Sequence, residues 1–239
     1  MKVKKKRTKG IEVLFEDNHL IAVNKPSGML VQGDKTGDKP ISDRAKEYLV
    51  KKYDKTGEAF IGVPHRIDRP TSGVLLLAKT SKALSRLNKM FQDREIKKTY
   101  WAVSKNKPPN EKGKLTHYLV RNPSKNKSIA HQHEVKDAKK AELNYTISLV
   151  LERYFLLEIE PITGRHHQIR SQLSAINCSI KGDLKYGFHR SNNDASIHLH
   201  ARAIEFIHPV KKEPIKIIAP APQTDPIWSF CNQQFIDRG

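Results

Sequence analysis

The sequence predicts an α+β fold, a single domain on a large mixed, mainly antiparallel sheet with flanking helices. Two observations support this class. Segments typical of strands outnumber segments typical of helices, and most strands that follow one another in sequence look antiparallel. No Pro- or Gly-rich linker divides the 239 residues, a length that can bury a substantial core. We therefore expect one domain over residues 11–239, after a basic, disordered tail at residues 1–10.

The first part of the chain is expected to form four strands and two helices. The strand segments either alternate between apolar and polar residues or are continuously apolar: IEVLFED, HLIAVNKPSG, VLLLAK and KKTYWAVSK. The helical segments are ISDRAKEYLVKKY and SKALSRLNKMFQDREI, which carry apolar residues at helical spacing. Ser42 and Ser81 are the expected N-caps of these two helices.

In the second part, residues 105–114 and 121–140 are polar and rich in Pro, Asn and Lys, so we expect loops there. AELNYTISLV and YFLLEIEPI alternate and predict an antiparallel hairpin. TGRHHQIRSQLSAI predicts a helix, and SIHLHARAIEFIHP and PIKIIAP predict closing strands. A last helix should begin at Asp225-Pro226, with Ile227, Phe230 and Cys231 facing the core.

The charge of the chain indicates its class of partner. Lys and Arg total 44 against 25 Asp and Glu, which gives a net charge of +19 and a pI near 9.9. Such a field favours polyanions, because contacts to phosphates release condensed counterions. We expect nucleic acid rather than an anionic membrane, since no segment combines a basic helical face with an apolar one.

The same composition indicates the compartment. No segment approaches the length of about 20 apolar residues that a membrane span needs, and the basic start MKVKKKRTKG lacks the apolar part of a signal peptide. Cys178 and Cys231 are the two cysteines, without CxxC spacing. We therefore expect reduced thiols and a cytoplasmic location.

Several catalytic and binding motifs are missing from the sequence. The histidine-rich segments HQH, HH and HLH come without HExxH or Cys/His zinc spacing, so no metal site is expected, although His198 and His200 would share a strand face. GDKTGDKP lacks the phosphate-loop spacing GxxxxGK[ST]. The TSG of residues 71–73 lacks the GxSxG pattern of a nucleophilic serine and is interpreted as a turn.

The segment HRIDRPTSG, residues 65–73, contains the strongest candidate for chemistry. It places Asp68 between Arg66 and Arg69 in a strongly basic chain. One interpretation is a surface ion pair in a loop. The other is a carboxylate that its arginines keep ionised and that a turn presents to a substrate, since a neighbouring cation favours the charged form of an acid.

HRIDRPTSGVLLLAKT resembles HRLDxxTSGxxxxAK, a signature of the RluA-type family of RNA pseudouridine synthases. Five other segments resemble motifs of that family: IEVLFEDNHLIAVNKPSGMLV its opening hairpin, KKTYWAVSK its KxYxAxV strand, ITGRHHQIRSQL its TGRTHQIRxHL helix, IKGDLKYG its GDxxYG, and LHARAIEFIHP its LHAxxLxFxHP. The matches follow the family order and cover nearly the whole chain. The resemblance implies a pseudouridine synthase catalytic domain over residues 11–239.

The resemblance also implies a reaction and a set of residues. Uridine in RNA would be isomerised to pseudouridine, with Asp68 as nucleophile. Tyr100 would pack on the target base and take part in proton removal at C5, Arg170 would pair with Asp68, and Arg66 would fill the space left by the flipped base. In the helix motif, Arg165 and His167 are further candidates for contact with RNA or the base.

These residue types suit the chemistry. The N1–C1′ bond must break and C5 must bond to C1′, and a carboxylate can assist by adding to the sugar or the base or by aiding deprotonation of the sugar. A paired base must be flipped out to reach it, and a flat aromatic ring gives the flipped base a stacking surface. Because the product contains every atom of the substrate, no cofactor and no metal are expected.

The chain departs from the family pattern in places. His166 stands where Thr or Ser is common, and Ser171-Gln172 replace an apolar residue and a His, which leaves hydrogen bonding around Arg170 open. The S4 RNA-binding domain that precedes many members is not expected, so the catalytic domain would bind RNA itself. The basic segment 121–128 is either an RNA contact or a solvated loop.

We expect a monomer that acts on ribosomal or transfer RNA, with ribosomal RNA slightly favoured. Two other functions stay open. A catalytically silent RNA-binding or ribosome-assembly factor would share the fold, although the combination of Asp68, Tyr100 and Arg170 argues against it. A metal-dependent RNA hydrolase that uses the histidines would lose activity in a chelator.

Overall fold

The computed structural model describes residues 10–34 and 36–236, and it confirms the α+β class. The predicted tail therefore lies outside the described residues, except for Gly10. The strands are β1 Glu12–Glu16, β2 Leu20–Lys25, β3 Ser72–Ala78, β4 Lys97–Ser104, β5 Lys112–Asn122, β6 Lys127–His131, β7 Lys139–Val150, β8 Phe155–Pro161, β9 Leu199–Ile207 and β10 Pro214–Ile218. The helices are α1 Ile41–Lys52, α2 Ser81–Gln92, α3 Gln168–Ala175 and α4 Pro226–Ile236, with a 3₁₀ turn at Leu184–Tyr186.

One mixed sheet contains all ten of these strands. Its order is β1-β2-β3-β9-β4-β8-β7-β5-β6, and β10 also pairs with β9. The β3–β9 pair is parallel, and the other pairs are antiparallel. One edge of β9 pairs with β4, whereas the other edge pairs first with β3 and then with β10. This arrangement places the beginning of β3 close to the middle of β4.

The parallel contact between β3 and β9 is short and close. It pairs Ser72 with His200 and Gly73 with Ala201. Gly73 has φ +116°, and a Cβ atom at this position would lie 2.2 Å from the carbonyl oxygen of Ala201. A glycine is required here because only it combines a positive φ with so close an approach of two backbones.

The buried apolar residues form two large clusters on either side of this contact. The first joins β1, β2 and β3 to α1 and α2, and the second joins β4, β7 and β8 to α3. A smaller cluster packs α4 against Trp101 on β4. Tyr100 packs against both large clusters, so its position on β4 marks the boundary between them.

The loops expected at residues 105–114 and 121–140 are confirmed in part, since residues 105–111, 123–126 and 132–138 are loops or turns and the remaining positions belong to strands. Strand β5 covers Lys112–Asn122, β6 covers Lys127–His131, and β7 begins already at Lys139. These strands form one end of the sheet, with β6 outermost, and many of their side chains are exposed. Strands at a sheet edge can be polar, so their sequence does not show the apolar alternation that predicts a half-buried strand.

Smaller differences concern helix ends. Pro40 is the N-cap residue of α1, and Ser42 lies buried within the first turn. Thr80 rather than Ser81 caps α2, and its hydroxyl accepts a hydrogen bond from the Ala83 amide at 3.1 Å. In α4, Cys231 is buried as predicted.

The prediction for Phe230 was wrong, because this side chain is exposed while Trp228 is buried instead. Trp228 stacks on His198 and lies near Trp101. The face of α4 that packs against the sheet therefore contains Trp228 and not Phe230. In the described part of the chain, Cys178 and Cys231 are free and buried, and no helix has the length and apolar character that crossing a membrane requires.

The close contact at Gly73 leads to a prediction. Gly73→Ala should lower the free energy of unfolding by about 3 kcal/mol or more, because the methyl group would collide with the Ala201 carbonyl and the positive φ would be strained. Urea unfolding followed by tryptophan fluorescence would measure the loss. The matched control is Gly57→Ala, where a Cβ atom meets nothing within 4 Å. Equal stability of the two variants would show that the strands can separate at no cost.

Candidate active site

A cavity of about 1140 Å³ opens at the boundary between the two large clusters. The turn before β3 contributes Asp68, β4 contributes Tyr100, and the loop before α3 contributes residues 162–167. Arg170 lines it from the first half of α3. The structure thus brings together all six residues predicted from the sequence, since Arg66, Asp68, Tyr100, Arg165, His167 and Arg170 line this one cavity.

The turn that carries Asp68 is held by backbone and side-chain bonds. The Thr71 amide donates to the Asp68 carbonyl at 3.0 Å, and the Gly28 amide donates to the Arg69 carbonyl at 2.8 Å. The buried ammonium of Lys25 donates to the Arg69 carbonyl and to two others in its own loop. The Asp68 side chain, about a quarter exposed, is therefore presented by a rigid turn.

Burial lowers the pKa of Lys25 to about 7, and the nearby charge of Asp68 acts in the opposite direction. The hydrogen bonds from Lys25 connect the end of β2 to the turn before β3. Lys25 is thus a residue of the site region that the sequence analysis missed, although it lies within the NKPSG segment of the opening hairpin.

The partner of the Asp68 carboxylate is Arg170. Its Nη1 donates to Asp68 Oδ2 at 2.9 Å, and its Nε and Nη2 donate to the two carboxylate oxygens of Asp183 at 2.7 and 2.8 Å. Burial alone would lower the pKa of Arg170, but the hydrogen bonds and charges of Asp183 and Asp68 outweigh it and raise the pKa above its usual value. Arg170 is a permanent cation in this position.

The arginines next to Asp68 in sequence have other roles. Arg69 turns away to form an ion pair with Asp38 at 2.6 Å, and its Nε donates to the Gly28 carbonyl. Arg66 is exposed at the cavity. The Asp68 carboxylate therefore pairs with Arg170 of α3 and not with either of its neighbours in sequence.

Tyr100 is placed by an irregularity in β4. The register of β4 against β9 shifts between Thr99 and Tyr100, and such bulges change the direction of a side chain. The half-buried ring lies at the cavity wall. Burial, and after it the negative charge of Asp68, raises the pKa of Tyr100 above its usual value, so the phenol is protonated at neutral pH.

His167 approaches Asp68 from the loop before α3. It is the N-cap residue of α3 in a left-handed conformation, φ 51°, and its Nε2 lies 3.6 Å from Asp68 Oδ2. Burial lowers the pKa of His167 to about 3, with Asp68 opposing this and Arg170 adding to it, so the ring is neutral at pH 7. Arg165 is exposed, and its Nε donates to the Lys140 carbonyl at 3.1 Å.

The three residues that depart from the family pattern, His166, Ser171 and Gln172, each form contacts with neighbouring segments. The ring of His166 stacks on His167 with centroids 3.8 Å apart, and its Nδ1 lies 2.9 Å from the hydroxyl of Ser128. Ser171 donates to the His167 carbonyl at 3.0 Å. The amide of Gln172 lies within 3.2 Å of the Leu115 and Ala141 carbonyls and of His117 Nδ1. These side chains therefore connect α3 to β5, β6 and β7.

Two further residues of the site were missed by the sequence analysis. Asp183, buried, holds the far side of Arg170, and Tyr186, also buried, places its hydroxyl 3.0 Å from His167 Nδ1. Both belong to the segment IKGDLKYG, whose resemblance to a family motif was the available signal. Nothing in their spacing relates them to Asp68.

The histidines of the HLH segment have protein partners. His200 bridges the Ser72 hydroxyl and the Ala219 carbonyl, and His198 contacts Asn192 and Asp225. Within residues 10–34 and 36–236, no group of three His, Cys, Asp or Glu side chains is arranged to hold a metal ion.

The family of the chain follows from comparison with known proteins. A family model described as RNA pseudouridylate synthase matches residues 19–175. The chain belongs to this family. The family predicted from the motifs is confirmed. The predicted enzyme class, RNA pseudouridine synthase, is confirmed with it.

Curated relatives of this pseudouridine synthase carry two kinds of name. "tRNA pseudouridine synthase C" of Pectobacterium carotovorum subsp. carotovorum is 34% identical over 96% of the chain, which spans 63% of that relative. The protein of the same name from Vibrio vulnificus is 32% identical over 94% of the chain and 95% of its own length. "Ribosomal large subunit pseudouridine synthase C" of Buchnera aphidicola subsp. Baizongia pistaciae is 32% identical over 87% of the chain and 66% of its own length.

A solved structure shows the same fold. Human RNA Pseudouridylate Synthase Domain Containing 4 superposes with a TM-score of 0.76 and covers 93% of both chains at 24% identity. The fold of this pseudouridine synthase is therefore the family's fold, in agreement with the mixed sheet described above.

The buried contact between Asp183 and Arg170 leads to a prediction. Asp183→Asn should lower the free energy of unfolding by about 3 kcal/mol, because it removes one of the two charges that compensate the buried guanidinium. Urea unfolding would measure this loss. The control is Asp54→Asn on the exposed surface, for which a change within about 0.5 kcal/mol is expected. If Asp183→Asn is as stable as the control, Asp68 alone suffices to hold Arg170.

Proposed function

We propose that this pseudouridine synthase converts a flipped-out uridine of transfer or ribosomal RNA to pseudouridine with Asp68 as the nucleophile. The observation that carries the proposal is the Asp68 carboxylate at the wall of a large cavity, held by Arg170 and beside the ring of Tyr100. The isomerisation conserves every atom of the substrate, so the proposed reaction uses no metal and no organic cofactor. We propose a cytoplasmic monomer as its form.

The contacts of Asp68 suggest which of its oxygens reacts. Both Arg170 Nη1 and His167 Nε2 approach Oδ2, at 2.9 and 3.6 Å. We assign Oδ1 to the substrate, because it is the oxygen that these two contacts leave available. Arg170 also fixes the orientation of the Asp68 carboxylate, so this carboxylate is already in place when RNA binds. Attack on the sugar and attack on the base are both compatible with this arrangement.

Tyr100 is proposed to stack on the uracil and to orient the proton at C5. A half-buried aromatic ring next to the nucleophile gives a flipped base a surface to stack on. Its raised pKa makes a phenolate a poor choice of base at neutral pH, so the protonated hydroxyl is assigned an orienting role.

The cations around the cavity are proposed to bind the RNA backbone. Five of them line it without an acidic partner among the ion pairs described for residues 10–34 and 36–236: Arg66, Arg94, Lys98, Arg121 and Arg165. A groove of this charge tracks phosphates without reading their sequence. Arg66 is exposed next to Asp68, where it can occupy the space that a flipped base leaves in a duplex.

The names of the relatives support two substrates. The relatives named after tRNA from Pectobacterium carotovorum, Vibrio vulnificus and Salmonella typhimurium are matched over 63%, 95% and 91% of their own length, and the ribosomal one from Buchnera over 66%. The proposed substrate is therefore either of these two classes of RNA. Pseudouridine mapping of total RNA with and without the gene would identify the RNA and the position.

Asp68→Asn should abolish pseudouridine formation and leave RNA affinity within about one order of magnitude, because many phosphate contacts carry the affinity. Pseudouridine formed on the mapped RNA and a binding titration would measure both, with Asp54→Asn as the control that keeps wild-type turnover. Wild-type turnover should persist in EDTA. Turnover by Asp68→Asn would remove Asp68 from the mechanism, and tight binding without turnover by the wild type would indicate a silent RNA-binding factor.

Tyr100→Phe should bind RNA with nearly wild-type affinity and lose at least about 100-fold in kcat, because the ring face is kept and the hydroxyl that orients the proton at C5 is lost. Single-turnover kinetics on the mapped RNA would separate this step from binding. Tyr100→Leu is the informative partner variant, since it should weaken binding as well. If Tyr100→Phe turns over at the wild-type rate, the residue has a packing role alone.

A further inference from the structure

Tyr186 lies at the centre of the contacts behind the cavity, although it is not among the residues that line it. Its side chain is 2% exposed, on the 3₁₀ turn Leu184–Tyr186. The guanidinium of Arg170 lies 4.9 Å from the ring centroid, and the ring of His167 meets it edge-on at 5.6 Å. One side chain thus contacts both groups that approach the Asp68 carboxylate.

The hydroxyl of Tyr186 has two partners whose roles can be assigned. The backbone amide of Ser128 can only donate, and it donates to this oxygen at 2.8 Å. The single proton of the hydroxyl is then available for His167 Nδ1 at 3.0 Å. If Nδ1 carried the proton instead, the phenol proton would lose this acceptor, and the lone pair of Nε2 would face the Asp68 carboxylate at 3.6 Å.

We propose that Tyr186 is a positioning residue that fixes the neutral Nε2–H tautomer of His167 and so directs an N–H group at Asp68 Oδ2. This inference rests on the proposed function of Asp68. The N–H dipole acts together with Arg170 on the same oxygen, which keeps Oδ1 free for the substrate. Tyr186 itself does not line the cavity that holds the Asp68 carboxylate.

The protonation states agree with this assignment. Burial raises the pKa of Tyr186 to about 12, so its hydroxyl keeps the proton that it donates. Burial lowers the pKa of His167 to about 3, so the imidazole is neutral and has one N–H and one acceptor nitrogen. The same hydroxyl also ties β6 to the site through the Ser128 amide.

The tautomer can be observed directly. In protein labelled with ¹⁵N histidine, long-range ¹H–¹⁵N correlation spectra should show His167 with a protonated Nε2 and an unprotonated Nδ1 at neutral pH. The His167→Asn spectrum assigns the signal by its disappearance. In Tyr186→Phe the Nδ1 signal should shift or broaden, because its hydrogen-bond donor is gone. A wild-type spectrum with the proton on Nδ1 would overturn the proposal whether or not the protein turns over uridine.

Kinetics on the mapped RNA test the consequence. Tyr186→Phe should lower kcat roughly tenfold, the scale of one hydrogen bond, with KM changed less than about twofold. Tyr145→Phe is the control, since Tyr145 is a similarly buried tyrosine that packs in the cluster around β7. Thermal melting of both variants separates a loss of fold from a loss of positioning.

A double-mutant cycle shows whether Tyr186 acts through His167. His167→Gln places an amide N–H near the position of Nε2 and does not depend on a tautomer, so adding Tyr186→Phe to it should cost less than twofold in kcat. An undiminished tenfold loss in that background would overturn the proposal, as would a wild-type kcat for Tyr186→Phe alone. If the wild type itself forms no pseudouridine, the proposed function fails, and the tautomer assignment is still decided by the spectra.

Discussion

The guanidinium of Arg170 is a buried positive charge, and its compensation links the stability of the fold to the geometry of the site. Taking such a cation out of water costs several kcal/mol unless charges and hydrogen bonds replace the lost hydration. Asp183 accepts two of its bonds and Asp68 accepts a third. The hydrogen bond from Arg170 to Asp68 helps to compensate the buried charge and also orients the proposed nucleophile. The geometry of the proposed site therefore follows from a contact that the fold itself requires.

The sheet brings the parts of the site together. Because β9 pairs with both β3 and β4, the turn that carries Asp68 and the bulge that carries Tyr100 end at the same cavity. Gly73 allows the close approach of β3 to β9 on which this depends.

The basic residues around the site divide into a buried and an exposed group. Arg170 and Lys25 are buried and each donates three hydrogen bonds to protein acceptors, whereas Arg66 is exposed at the cavity.

Much of the fold could be predicted from periodicity. The hairpin of β7 and β8 and the helix α2 bury one face, whereas β3 is buried on both faces, and the pattern of apolar residues in each element shows it. Strands β5 and β6 could not be predicted in this way, because they lie at one end of the sheet, where many of their side chains are polar and exposed.

By itself, the sequence determined the family, indicated nucleic acid as the class of partner and predicted six residues of the proposed site. Ordered motifs and a net charge of +19 were enough for these, since they depend on residue types and their order. Sequence adjacency suggested Arg66 and Arg69 as partners of Asp68, and the family resemblance suggested Arg170. The tertiary structure decided between them, because Arg170 donates to the Asp68 carboxylate and is supported by Asp183 and, through His167, by Tyr186. Contacts between distant segments arise from strand pairing and helix packing, and no local pattern records them.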